Sequence, residues 1–244
     1  MKRTIFRLNS CESIGMLIVL CCWQAHGATT VTSYPAMAPL DQYLMERNAE
    51  IALARSAAPD SISRDADVLV LGSHGYEIAS KGSNGFVCIV ARSWRAEADD
   101  PGFWNPKLRA PICFNVSAAR SVLPIMSRKT ELVLTGISKE RMFENIKSSF
   151  DRKELPTIEP GSMCYMMSRQ AYLGDANGHW HPHLMFFLPQ TSDIAWGAGS
   201  QGSPILVDQD VADHLTVFMI PVQTWSDGTP EEVHTSSAGH SDQL

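Results

Sequence analysis

Long hydrophobic runs are scarce in this chain of 244 residues. Beyond the N-terminal segment, no stretch approaches the roughly 18 consecutive apolar residues typical of a transmembrane helix. Basic residues are also few, since 20 Lys and Arg stand against 26 Asp and Glu, and they form no stripe. An acidic chain without a basic patch argues against nucleic acid or an anionic membrane as the partner.

Complete catalytic motifs are missing as well. No serine lies in a Gly-x-Ser-x-Gly elbow, and no Ser-x-x-Lys occurs with its companion motifs. The glycine-rich stretch from Gly199 to Ser203 has neither the lysine nor the spacing of a phosphate-binding loop. The sequence therefore excludes the commonest serine hydrolase and P-loop signatures.

The first 27 residues have the features of a secretory signal peptide. Three basic residues occur among the first seven, an apolar run covers 14–23, and the small residues Ala25 and Gly27 suit signal peptidase. Removing this segment takes away three basic residues and Glu12, so the formal charge moves from -6 to -8. We expect a secreted or periplasmic protein that has no membrane attachment after cleavage.

Cysteine usage fits an oxidising compartment. Three of the six cysteines fall in the signal segment, which leaves Cys88, Cys113 and Cys164 in the mature chain. An odd number permits one disulfide and one spare thiol. We favour a bridge between Cys88 and Cys113, because both lie in strand-like contexts away from the histidine-rich segment described below.

The remaining chain is predicted to be one α+β domain. Residues 28–225 have the length of a single domain, without internal repeats, and 226–244 have too little apolar content to pack and are predicted to be a disordered tail. Helical periodicity predicts helices over 41–57 and 138–154. Ser138 is suited to cap the second of these. The fold class expected is an antiparallel sheet built from hairpins and packed against two or three helices.

One hairpin of this sheet carries an alternating histidine motif. Residues 163–170 and 179–188 flank a turn rich in Gly, Asp and Asn, so we expect them to pair. Side chains alternate faces along a strand, which would place His179, His181 and His183 on one side. Pro182 cannot donate to a strand ladder, which indicates an edge or a bulge at that point.

Imidazoles that share a face predict a metal site. Zinc is the first choice, because imidazole nitrogen is its habitual ligand and an open position would polarise a water. Copper is the second, since Met163, Met166, Met167 and Met185 lie on the same hairpin. Weaker candidate ligands are Cys164, His214 and His74. Asp175 and Glu77 are weak candidates for a general base, which would make the protein a metal-dependent hydrolase.

The alternative is a non-catalytic exported module that binds a small molecule or a protein through its sheet and uses no metal. The missing catalytic motifs motivate it. A row of half-exposed histidines can also be ordinary polar surface beside a packed Trp180. The sequence leaves both functions open, and it leaves the substrate and the oligomeric state open too.

Overall fold

An eight-stranded sheet organises the computed structural model of this protein, which describes residues 32–175, 180–192 and 196–232. The strands are β1 (Asp67–Leu71), β2 (Tyr76–Ser80), β3 (Val87–Ala91), β4 (Ala110–Phe114), β5 (Met163–Met166), β6 (His183–Pro189), β7 (Leu206–Asp210) and β8 (Leu215–Pro221). Their order across the sheet is β2-β1-β3-β4-β5-β6-β8-β7. Every neighbouring pair is antiparallel except β1 with β3. The predicted α+β class with a sheet built mainly from hairpins is confirmed.

Five α-helices accompany the sheet in the described part of the chain. They are α1 (Arg47–Arg55), α2 (Asp60–Ser63), α3 (Val116–Ser121), α4 (Leu123–Leu134) and α5 (Lys139–Asp151). The predicted cap of α5 is confirmed, because the Ser138 hydroxyl accepts the Arg141 backbone N–H at 3.3 Å. Met142 and Ile146 form the buried side of this helix, as their spacing predicts.

The predicted helix over 41–57 is divided in two. A short 3-10 helix covers Leu40–Gln42, and α1 begins only at Arg47. Glu46 interrupts the helix because its carboxylate accepts the backbone N–H groups of Asn48 and Ala49 at 3.0 and 2.8 Å. An acceptor that caps those amides starts a new helix after itself.

Each face of the sheet has its own core. The front face of the sheet is defined by the side chains of Ile112, Phe114, Met185, Phe187 and Val217. The helices α3 and α4 pack on its central part. The back face carries Cys88, Val90 and Cys113, and α1 covers it. The strand β7 lies at the edge of the sheet, and the front face beside it is open.

A disulfide links β3 and β4 on the back face. Cys88 and Cys113 lie directly opposite each other in the strand register and are bonded at 2.06 Å. Cys164 is the free cysteine of the described residues and is buried. The favoured pairing is therefore confirmed.

The C-terminal residues that the structure describes are part of the fold. Ser226 N–H donates to the Met167 carbonyl at 2.9 Å, and Glu231 N–H donates to the Gln223 carbonyl at the same distance. Residues 226–232, which the sequence assigns to a tail, are thus hydrogen-bonded to the domain. The signal segment 1–27 and residues 233–244 lie outside the described ranges. Among the helices that are described, none has the length and apolarity needed to cross a bilayer.

Candidate binding cleft

The histidine segment does not form one continuous strand in the part of the chain that is described. His179 lies outside the described residues, and 180–182 precede the strand, which begins at His183. Pro182 explains the late start, since it has no N–H for the ladder, although its carbonyl accepts from Val222 at 2.8 Å. The strand predicted over 179–188 is therefore too long at its N-terminal end, and His181 and His183 do not share a strand face.

His183 is a buried residue at the start of β6, only 3% exposed. Its Nδ1 lies 2.6 Å from the carbonyl oxygen of His181, so Nδ1 carries the proton and donates it. The Trp180 ring contacts the imidazole edge to face, with the ring centres 4.6 Å apart. Burial lowers the pKa of His183 to about 4, so the ring is neutral at physiological pH.

His181 lies at the surface and contacts a carboxylate. Its Nδ1 pairs with Glu231, whose side chain is 17% exposed compared with 58% for the imidazole. The contact attaches residue 231 to the segment that precedes β6. Among the described residues, no group of three His, Cys, Asp or Glu side chains could hold a metal ion. Metal binding by the full histidine motif stays a prediction, because one of its three residues is not described.

The weaker candidate ligands lie apart from His183. His214 precedes β8 at the end of the ladder where Leu215 faces Pro189, whereas His183 faces Pro221 at the other end. Six residues of strand, about 20 Å, separate these ends. His74 lies in the turn between β1 and β2, four or five strands from β6, which is again about 20 Å or more.

Cys164 is closer to the histidine segment, on the neighbouring strand β5. It pairs with Met185 in the register and is fully buried in the front core. Burial raises the pKa of this thiol, which disfavours the thiolate that a metal would require.

The two candidate general bases have structural partners. Asp175 accepts hydrogen bonds from the hydroxyls of Tyr34 and Tyr172, and the Tyr172 hydroxyl is the main reason that its pKa is lowered. Glu77, on the edge strand β2, forms an ion pair with Arg47 at 2.9 Å. Glu77 is separated from His183 by four intervening strands, so these groups do not form a common site.

A cleft of about 270 Å³ opens instead on the front face, between α4, β8 and β7. Its size lies near the lower end of the range of about 300 to 1,000 Å³ that is usual for small-molecule pockets. The floor consists of apolar side chains from β4, β6 and β8: Ile112, Phe114, Met185, Phe187, Leu215, Val217 and Met219. Val122 and Met126 add an apolar wall at α4.

Charged residues surround this apolar floor. Asp208 and Asp210 come from β7, where they face Val217 and Leu215 of β8 across the ladder. Asp213 follows in the turn, and Arg95 with Glu97 and Asp100 come from the loop after β3. Asp208 and Asp210 lie on the same face as the apolar floor, because paired residues of neighbouring strands share a face of the sheet.

A buried ion pair forms one side of the cleft. Lys129 Nζ lies 2.7 Å from Asp213 Oδ2, and their side chains are 2% and 8% exposed. The other oxygen, Asp213 Oδ1, has no hydrogen-bond partner among the described residues, and neither has the buried Nε of Arg95. Four buried side-chain atoms of the described chain lack a partner, and two of them belong to residues that line this cleft.

The carboxylates of the cleft are poorly compensated. Burial raises the pKa of Asp213, against the opposing effect of Lys129. Burial also raises the pKa of Glu97 and of Asp208, and the negative charge of Asp210 adds to both shifts. The lining of the cleft thus carries a surplus of negative charge.

Sequence reasoning did not identify this cleft. The one local signal was the spacing of Asp208 and Asp210, which places two carboxylates on one face of a strand. Comparison with known proteins gives no match: no family model, no curated protein and no solved structure matches the chain. The fold and the cleft therefore define only a class, an α+β domain with an amphipathic ligand-sized cleft on its sheet.

Proposed function

We propose that this chain is an exported, non-catalytic binding protein that holds a small ligand in the front-face cleft. The observation that carries the proposal is an open apolar floor surrounded by charged side chains, which is the usual composition of a small-molecule site. Covering this floor with the apolar surface of a ligand gains roughly 25 cal/mol per Å².

Export is part of the same proposal. The N-terminal pattern predicts a cleaved signal segment, and a disulfide between Cys88 and Cys113 is compatible with an extracellular or periplasmic location. The small ligand would then be one that the protein meets outside the cytoplasm.

The methionines around the cleft allow a direct test. Met126, Met185 and Met219 line it, so their methyl groups report on any ligand. We would label the methionine methyls with ¹³C and titrate the protein with 3-phenylpropan-1-ol, a neutral probe of ten non-hydrogen atoms. Because fragments of this size gain roughly 0.3–0.4 kcal/mol per atom, we expect a Kd in the millimolar range.

Two variants make the test specific. Val217→Trp extends an indole over the floor of the cleft and is expected to abolish the shifts of the three methyl signals. The control is Ile78→Trp, at an exposed position on β2 that is 51% accessible, and it should bind the probe as the natural chain does. Binding that shifts none of the three methyl groups, or that survives Val217→Trp, would contradict a ligand site in the cleft.

A further inference from the structure

Negative charge dominates the residues that line the cleft. Five carboxylates contribute to it, from two different parts of the chain: Glu97, Asp100, Asp208, Asp210 and Asp213. Only two cationic side chains, Arg95 and Lys129, accompany them. Three negative charges therefore have no cationic counterpart within the lining.

One of the two cations is paired with a carboxylate, and the other experiences the field of two more. Lys129 is in hydrogen-bond contact with Asp213 at 2.7 Å. Arg95 lies in the field of Asp100 and Asp208, which act against the loss of charge that its burial favours. The charge of Lys129 opposes the raised pKa of Glu97 but does not reverse it, because burial, Asp208 and Asp210 outweigh it.

The carboxylates also lie close to one another. Asp210 Oδ1 accepts the backbone N–H of Asp213 at 2.9 Å, which holds these two residues together in the turn. The charges of Asp208 and Asp210 act on Glu97 and raise its pKa, after burial as the larger cause. Such mutual repulsion is relieved when a cation lies between the groups.

Protection of the sheet edge accounts for only part of this charge. Carboxylates on an edge strand such as β7 discourage pairing with another sheet. This reason does not apply to Glu97 in the loop after β3, nor to Asp213, whose side chain is 8% exposed and whose Oδ1 lacks a partner among the described residues. The charge of Glu97 and Asp213 therefore needs another explanation, which a cation in the cleft provides.

We infer that the ligand is a small organic ammonium compound with an apolar body, whose charged nitrogen lies among Glu97, Asp208, Asp210 and Asp213 while its body covers the floor of Met185, Phe187 and Val217. This inference rests on the proposed function and specifies its ligand. The volume of about 270 Å³ lies just below the usual range for small-molecule pockets, which favours a compound of about ten non-hydrogen atoms.

Three probes that share a skeleton test the charge preference. They are 3-phenylpropylamine, 3-phenylpropan-1-ol and 3-phenylpropionate, which are cationic, neutral and anionic at pH 7. Each is titrated into the ¹³C-methionine protein at low salt. We expect the amine to bind about tenfold more tightly than the alcohol, and the carboxylate to bind more weakly than the alcohol, because charge-assisted hydrogen bonds are roughly twice as strong as neutral ones.

Variants test whether the carboxylates of the cleft cause the preference for the cationic probe. Glu97→Gln combined with Asp208→Asn keeps the shape of two exposed side chains and removes two charges, so the affinity for the amine should fall to within about twofold of the alcohol. The alcohol should bind this variant as it binds the natural chain. Asp65→Asn is the matched control, because Asp65 is an exposed carboxylate that precedes β1. The strand β1 lies about 30 Å from β7, at about 4.8 Å per strand. This variant should therefore leave the affinities for all three probes unchanged.

The outcomes separate the two proposals. If the alcohol binds in the cleft and the amine binds no better, the ammonium inference is overturned and the proposed function stands. If the carboxylate binds most tightly, Arg95 selects the ligand and the inference is likewise overturned. If no probe shifts Met126, Met185 or Met219, both proposals fail together.

Discussion

Acidification should destabilise the native protein through the buried imidazole of His183. The ring is neutral and its Nδ1–H donates to the His181 carbonyl, at a position only 3% exposed. In the unfolded chain the same imidazole has a pKa of about 6.5, whereas burial lowers the pKa of His183 in the folded protein to about 4. The unfolded state therefore binds the extra proton between these two values.

The sign and size of the effect follow from this difference. Because the unfolded state binds more protons, the stability contributed by neutral His183 is present above pH 6.5 and is lost as the pH falls toward 4. The loss amounts to about 3 kcal/mol between pH 7 and pH 4, at about 1.4 kcal/mol per pH unit of difference. With a urea m-value of about 2 kcal/mol/M, that corresponds to a midpoint shift of about 1.5 M.

A difference measurement isolates this residue from other groups that titrate in the same range. We would measure urea unfolding of the natural chain and of His183→Asn from pH 7 to pH 4, with EDTA present so that the imidazole is metal-free. Asn keeps an N–H donor near the His181 carbonyl but takes up no proton. The stability advantage of the natural chain over His183→Asn should fall by about 3 kcal/mol across this range.

The control is His74→Asn, which changes an exposed imidazole in the turn between β1 and β2. Because substitutions at the surface usually change stability by only about 0.5 kcal/mol, its difference from the natural protein should stay below about 1 kcal/mol across this range. A difference for His183→Asn that is equally flat would refute a neutral, desolvated imidazole at this position.

Three further predictions concern the disulfide, the ion pair and the histidine segment. Replacing Cys88 and Cys113 with Ser should lower the free energy of unfolding by about 3.5 kcal/mol, given the sequence separation of 25, in chemical denaturation; an unchanged midpoint would contradict a formed bridge. Lys129→Met should cost about 3–5 kcal/mol by leaving Asp213 buried and unpaired, and adding Asp213→Asn should restore much of that loss; equal stability of the single and double variants would argue against the pair. If the histidine segment binds zinc or copper, metal analysis of protein purified without a histidine tag should find bound metal that is lost in His181→Ala, and its absence from the natural chain would end that prediction.

Local patterns identified much of the fold. The cap and apolar spacing of α5 depend on residues within a few turns of helix. The antiparallel pairing of β5 with β6 was predicted from two strand-like runs, although the first strand is shorter than predicted and ends at Met166 instead of Gln170. Strand-like contexts favoured the pairing of Cys88 with Cys113, and the register of β3 with β4 confirms it. Such features are visible in sequence because neighbouring residues decide them.

Two errors of prediction have local causes as well. Glu46 caps the amides that follow it and divides the first helix, although the apolar stripe runs through this point. Pro182 delays the start of β6, so the alternation of the histidines does not translate into a shared face. In both places a single residue's hydrogen bonding outweighs the periodic pattern.

By itself the sequence determined the α+β class and the principal helix, because these depend on residues that are close in the chain or alternate along one element. It only favoured the bridge between Cys88 and Cys113, which the register of β3 with β4 decides. Only the tertiary structure decided where a ligand could bind. Lys129 and Asp213 are 84 residues apart in sequence and meet only when α4 packs on the sheet beside the turn between β7 and β8. The surplus of negative charge over an apolar floor arises from segments that no short-range pattern connects, so folding alone brings them together.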